Sequence, residues 1–185
     1  MRVPRGTSLP LAAILLVLGI ASTLLGADWI EDALDLLLAP TGPGLMSFAG
    51  AARIVDGDTL EVDGRRVRLA GVDAPELAQT CTGVDGQSLP CGQQVRVALS
   101  AFIGHSVVSC REVGADRFDR ILAQCQVRGH DLGAWLVASG LAAAYAGRSG
   151  KPLRTAEATA RAAGTGLWSG EFERPDVWRR RRGGD

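Results

Sequence analysis

The chain has 185 residues, 20 basic and 20 acidic, for a formal charge of zero, and 46% of its residues are hydrophobic. That length holds one ordinary domain plus an appendage, and the balance of charge excludes the strongly basic footprint of a high-affinity nucleic-acid binder. The charge is unevenly placed all the same: residues 1–45 hold two arginines and four acids, leaving 18 basic against 16 acidic for the rest.

Arg2 and Arg5 precede a run from Leu9 to Ala27 that carries no charge. Its 19 residues are enough to cross the hydrocarbon core as a helix, and the flanking arginines predict a cytoplasmic N-terminus. An uncleaved membrane anchor over residues 1–27 is expected in preference to a cleaved signal peptide, which has a shorter core and a small-x-small exit such as Gly19-Ile20-Ala21. A buried core helix is the plain alternative. With an anchor, the remainder lies on the extracytoplasmic side, periplasmic or at the cell surface; with cleavage it is secreted. Asp28 to Leu38 repeats apolar residues at helical spacing with acids early, which suits a short amphipathic helix. Ala39 to Gly44 reads as a linker, so residues 28–45 separate the anchor from a domain over 46–170 that begins near Phe48.

Within that domain, Ile54 to Glu76 predicts a hairpin. Asp63-Gly64 is the signal for a two-residue turn, in which both residues take positive φ. Leu60 and Val62 alternate with polar neighbours on the way in, as do Val67 and Leu69 on the way out. An ideal hairpin pairs Thr59 with Arg68. Strict alternation then puts Asp58 and Arg68 on opposite faces, unless a bulge at Gly57 or Gly71 brings both to one mouth. Leu77 to Gly92 reads as a loop bracketed by Cys81 and Cys91. Val95, Leu99, Phe102 and Ile103 predict a helix over 92–103, stopped by Gly104. Ser106 to Arg111 and Ile121 to Val127 read as strands flanking a polar connection. Asp131 caps a helix over 132–139 that Gly140 ends, and Pro152 starts a third through Ala163. This order predicts an α+β fold. His105 and His130 read as surface or turn residues, Trp135 and Trp168 as core, and the run Arg179 to Arg182, in a tail over 171–185, as a solvated end.

Asp56-Gly57-Asp58-Thr59, then Arg68, then Asp73-Ala74-Pro75-Glu76, resemble the signature of the staphylococcal nuclease (thermonuclease) family. Asp116-Arg117-Phe118-Asp119-Arg120-Ile121-Leu122-Ala123 resembles that family's second arginine motif. The likeness runs from about Phe48 to Trp168 in the family's order. It implies an OB-fold, a five-stranded β-barrel capped by about three helices, and Ca²⁺-dependent hydrolysis of DNA or RNA phosphodiester bonds that leaves 3′-phosphates. It further implies that Asp58 and Asp73 hold Ca²⁺ with the main-chain carbonyl of residue 74. Ala74, where the staphylococcal enzyme has threonine, is therefore tolerated. By the same resemblance Arg68 and Arg120 contact the scissile phosphate, and Glu76 is the water-activating carboxylate.

The residue types suit those roles. Short carboxylates are hard oxygen ligands for Ca²⁺, and guanidinium is a fixed fork of donors that stays charged. Taken alone, Asp56 and Asp58 are ordinary turn acids and either arginine an ordinary surface ion pair; the acids downstream shift the balance to function. An EF-hand is a poor rival, because Leu60 falls on its third ligand position and no helices flank it. Tyr145 lies near where the family places tyrosines against the nucleotide, and stacking there is left open. The loop after Glu76, lysine-rich in the staphylococcal enzyme, is here bracketed by cysteines and acidic at Asp85. The rival readings are a catalytically silent OB module and an envelope domain that binds a protein partner; no obligate protein partner is inferred.

Four cysteines allow three pairings, between which sequence alone does not choose. Placement favours Cys81–Cys91 across one loop and Cys110–Cys125 across two adjacent strands. Zinc is disfavoured, since no Cys-x-x-Cys pair is present, and reduced thiols do not suit an exported domain.

Overall fold

The computed structural model describes residues 46–116, 118 and 120–183. The expected anchor over 1–27 and amphipathic helix over 28–45 lie outside the described residues. Among the described residues no helix is long and apolar enough to cross a membrane.

The first strands, β1 (Ser47–Gly50) and β2 (Ala52–Ile54), form one strand broken at Ala51. They are followed by β3 (Thr59–Val62), β4 (Arg65–Leu69) and the short β5 (Val72–Asp73). Two-residue strands β6 (Cys81–Thr82) and β7 (Ser88–Leu89) pair with each other ahead of helix α1 (Cys91–Ile103). Then come β8 (Val108–Ala115), β9 (Ile121–Val127), β10 (His130–Asp131), α2 (Leu132–Ala138), β11 (Ala143–Ala144), α3 (Lys151–Ala162), a 3₁₀ turn (Gly166–Ser169) and α4 (Pro175–Arg181).

The main sheet runs β1-β8-β9-β4-β3-β2, with β10 added beside β9. Because β1 pairs with β8 and β2, continuous with it, pairs with β3, the first strand joins both edges and closes a five-stranded barrel. Closure leaves no open edge on the path, and the arrangement is consistent with the OB-like fold that the resemblance implies. The β3–β4 hairpin has the expected register, Thr59 opposite Arg68, through Asp63 at φ 51° and Gly64 at φ 72°. A second left-handed pair, Arg128-Gly129, turns β9 into β10.

Alternation dictates which side chains fill the barrel: Leu60, Val62, Val67 and Leu69 are buried, while Glu61, Arg66 and Arg68 between them are less so. Val95, Leu99 and Ile103 repeat every four residues along α1 and close one end. The Asp131 carboxylate accepts the Ala134 N–H at 2.8 Å and caps α2, whose Leu136 enters the same core. The β8 strand begins two residues later than expected and runs on to Ala115, which pairs with Ile121 of β9, so the two form a long hairpin. Trp135 packs at the rim of the core, stacked on Phe102 at 3.9 Å, and Trp168 meets Phe172 edge-on at 4.7 Å. Both cystines are present as expected, Cys81–Cys91 and Cys110–Cys125, the latter between directly opposed residues of β8 and β9.

One expectation is overturned. Within the run Arg179–Arg182, Arg180, Arg181 and Arg182 are exposed as a solvated end would be, but Arg179 is not: α4 lies on the barrel, and Arg179 is directed inward onto two acids, its side chain 22% exposed. The physical reason is local. Pro175 starts the helix, and the Asp176 N–H donates to the buried carboxylate of Asp73 at 3.1 Å, fixing α4 against β5.

Candidate active site

Sheet register assembles the site. In the parallel pair β4–β9, Arg68 lies opposite Leu122. Arg120 stands two residues before Leu122, so by alternation it shares the outward face with Arg68, while Val67 and Ala123 point to the core. Glu76 reaches the same place from beyond β5. Arg68, Glu76 and Arg120 thus line one cavity of about 420 Å³, with Tyr145, Arg148 and Arg179 among its other walls.

Asp58 and Asp73 lie behind this cavity, 3% and 0% exposed. The Arg68 guanidinium joins them, donating to Asp58 Oδ1 at 2.6 Å and Asp73 Oδ1 at 3.2 Å. Asp58 is not on the opposite face from Arg68, because the strand's alternation starts only at Thr59. The amides of Val55 and Asp56 both donate to the Thr59 carbonyl, at 2.9 and 3.2 Å, and turn the chain tightly over 55–58. The turn crosses so close to Ala74 and α1 that a Cβ on Gly57 would stand 2.7 Å from the Ala74 Cβ and 2.8 Å from Val95. Only glycine passes there. The approach lets the Ala74 N–H donate to Asp58 Oδ2 at 3.0 Å. No bulge occurs at Gly57 or Gly71; the sheet's irregularity lies in β8, between Glu112 and Gly114.

Burial sets the electrostatics of the acids. It pushes the Asp58 carboxyl up to about 7, against the pull of Arg68 and with Asp56 and Asp73 adding to the rise. Burial also raises Asp73, although Arg179 and Arg68 draw it down. Arg179 donates to Asp73 Oδ1 at 2.8 Å and to Glu76 Oε1 at 2.7 Å. Burial disfavours its charge, but those two carboxylates outweigh this and raise its pKa.

Asp116 holds Arg120. Its Oδ1 accepts the main-chain N–H groups of Phe118 and Arg120 at 2.8 and 3.0 Å, and its Oδ2 accepts Arg120 Nε at 2.6 Å. Burial would raise the Asp116 carboxyl, but these amides and the guanidinium together hold it below the ordinary carboxylate range. Gln79 fixes the loop of Glu76. Fully buried, it accepts the Glu76 N–H at 3.2 Å through Oε1 and donates through Nε2 to the Glu173 carbonyl at 2.6 Å. Gly92 completes that loop, for a Cβ there would fall 1.8 Å from the Glu76 carbonyl oxygen.

Every residue singled out from the sequence therefore falls at one place: Arg68, Glu76 and Arg120 at the cavity, Asp58, Asp73 and Ala74 behind it. Sequence reasoning missed Arg179, Gln79 and the holding role of Asp116. Asp-x-x-x-Arg around a tight connection was a usable signal for the last; Arg179 lies 103 residues from Glu76, and Gln79, though three residues from Glu76, is fixed by Glu173 94 residues on, so local pattern carried none for either.

Comparison with known proteins bears on the chemistry. The sequence pattern of the staphylococcal nuclease homologue family matches residues 66–170. The succinoglycan biosynthesis protein ExoI of Rhizobium meliloti (strain 1021) is 36% identical over 140 residues, 75% of this chain and 73% of that protein. An uncharacterized endonuclease of Haemophilus influenzae is 33% identical over 135 residues, 69% of this chain and 70% of its own length. A probable endonuclease LCL3 of Verticillium alfalfae is 31% identical over 169 residues, 83% of this chain and 57% of the longer fungal protein.

Proposed function

The chain belongs to the staphylococcal nuclease homologue family, and from that premise we propose that it is a nuclease that hydrolyses phosphodiester bonds of DNA, RNA or both, with Ca²⁺, on the outer side of a membrane. One observation carries the proposal: two arginines and a carboxylate from three separate stretches of sequence line one cavity, with a buried acid pair behind them.

The division of labour follows from the groups. Arg68 and Arg120 bind the scissile phosphate and stabilise the charge that develops on its oxygens, as preorganised donors do in a partly dry site. Glu76 takes the proton of the attacking water or orients it, and Arg179 holds that carboxylate in place. The metal site draws on the chemistry of the donor set. Asp58, Asp73 and the Ala74 carbonyl are hard oxygens, and burial leaves the Asp58 carboxylate under-compensated even beside Arg68. Among the described residues no three acidic, histidine or cysteine side chains meet closely enough to hold an ion. Water and substrate oxygens would complete the coordination, which suits the flexible shell of Ca²⁺ better than the tight octahedron of Mg²⁺. When bound, the ion supplies charge neutralisation at the phosphate. Two cystines and the uncharged run over 9–27 support the outward location.

The test is hydrolysis of labelled single-stranded DNA and RNA by chelated protein to which Ca²⁺ or Mg²⁺ is returned. Cleavage restored by Ca²⁺ and poorly by Mg²⁺ is expected. No cleavage with either ion refutes the enzymatic reading and favours the silent binding module; equal rates refute the selectivity.

A further inference from the structure

Four guanidiniums line the cavity, those of Arg68, Arg120, Arg148 and Arg179. Three are anchored by acids: Arg68 by Asp58 and Asp73, Arg120 by Asp116, and Arg179 by Asp73 and Glu76. Arg148 is exposed and has no acid within ion-pair reach among the described residues. Its guanidinium carbon sits 5.7 Å from the centroid of the Tyr145 ring, and that of Arg68 lies 5.9 Å from the same centroid. The two cations therefore stand within about 12 Å of each other, a distance a strand covers in a few nucleotides at about 3.4 Å of axial rise each.

The backbone under Arg148 is held. The Tyr145 N–H donates to the Gly71 carbonyl at 2.9 Å, in the turn between Arg68 and Asp73. The N–H groups of Arg148 and Ser149 both donate to the Tyr145 carbonyl at 3.1 Å. This turn is tied to the chain that carries the scissile-phosphate arginine, so the backbone that bears Arg148 is held beside the site. A cation carried at the rim of an anion site, with no acid of its own, suits a second anion of the same ligand. We propose that Arg148 binds a non-scissile phosphate a few nucleotides along the substrate strand, and so makes the site select a polynucleotide over an isolated phosphodiester.

The proposal rests on the nuclease reading and extends it to the size of the substrate, and two measurements on the full chain separate the two. The first is hydrolysis, in Ca²⁺, of a single-stranded oligodeoxynucleotide and of bis(p-nitrophenyl) phosphate, a diester with no second phosphate, by wild type, Arg148→Gln and Arg148→Lys. In Arg148→Gln, kcat/KM on the oligonucleotide relative to the small diester falls about fivefold, the effect of one exposed charge pair, through KM rather than kcat. Arg148→Lys restores most of it. The second is binding of a fluorescein-labelled oligothymidylate in chelator, followed by anisotropy against salt. The slope of log K on log salt becomes shallower by about 0.7 in Arg148→Gln, one phosphate contact on a single strand. An unchanged substrate ratio and an unchanged salt slope overturn the proposal, as does an equal loss on both substrates. Absence of all cleavage with the salt slope still altered removes the nuclease reading and leaves the phosphate contact standing.

Discussion

At Arg120 the guanidinium leans on Asp116, whose carboxylate also gathers two main-chain amides of the same hairpin tip. Replacing Asp116 by asparagine keeps the shape and removes the charge, so the arginine loses its fixed direction and turnover falls by about tenfold or more through misplacement. Steady-state kinetics of the variant against wild type checks this. The same carboxyl is held below its ordinary range, so its contribution to stability is complete above that range and is lost as pH falls through the lowered value. Thermal unfolding between pH 5 and pH 2 should consequently flatten in Asp116→Asn relative to wild type. Glu76→Gln and Arg120→Ala act on the reaction itself. Each lowers turnover by about 10²–10³ with the far-ultraviolet spectrum unchanged, and wild-type rates in either folded variant refute the assigned roles.

Among the elements, the loop from Glu76 to α1 shows how positioning is achieved without a strand or helix. Gln79 ties it to Glu173, Cys81–Cys91 staples it to the first turn of α1, and Gly92 lets α1 pass against the Glu76 carbonyl. Gly92→Ala forces that carbonyl or the helix to shift, costing about 1–3 kcal/mol as overpacking does and lowering activity with it. Denaturant unfolding together with the activity assay checks both. Loss of the Asp131 cap in Asp131→Ala costs only about 1 kcal/mol and leaves kinetics alone, a contrast between a structural and a positioning contact. These elements were largely legible in the sequence. The Asp63-Gly64 turn, the α1 stripe Val95-Leu99-Ile103 and the strand at 121–127 rest on local periodicity and turn chemistry, and the structure reproduces them. The end of β8 was not, because its last residues, Glu112 to Ala115, carry neither a clean alternation nor a breaker beyond Gly114.

For the molecule as a whole, the barrel brings residues from 56 to 179 to one cavity. What sequence could deliver was the set of groups inside recognisable motifs; what it could not was the closure by α4, since Arg179 meets Asp73 and Glu76 across more than 100 residues. Truncation after Gly170 should leave the core of the barrel, which contains no residue beyond that point among its fully buried members, but should strip the partner from Glu76 and lower kcat more than it raises KM. Circular dichroism and single-turnover kinetics of the truncated chain check this, and full activity without α4 refutes it. The placement of that arginine also sets an order of completion. Translation delivers the acids, both motif arginines and the barrel strands before Arg179, so a nascent chain that has not yet released residue 179 lacks the partner of Glu76. Competence waits for α4 to be made and docked.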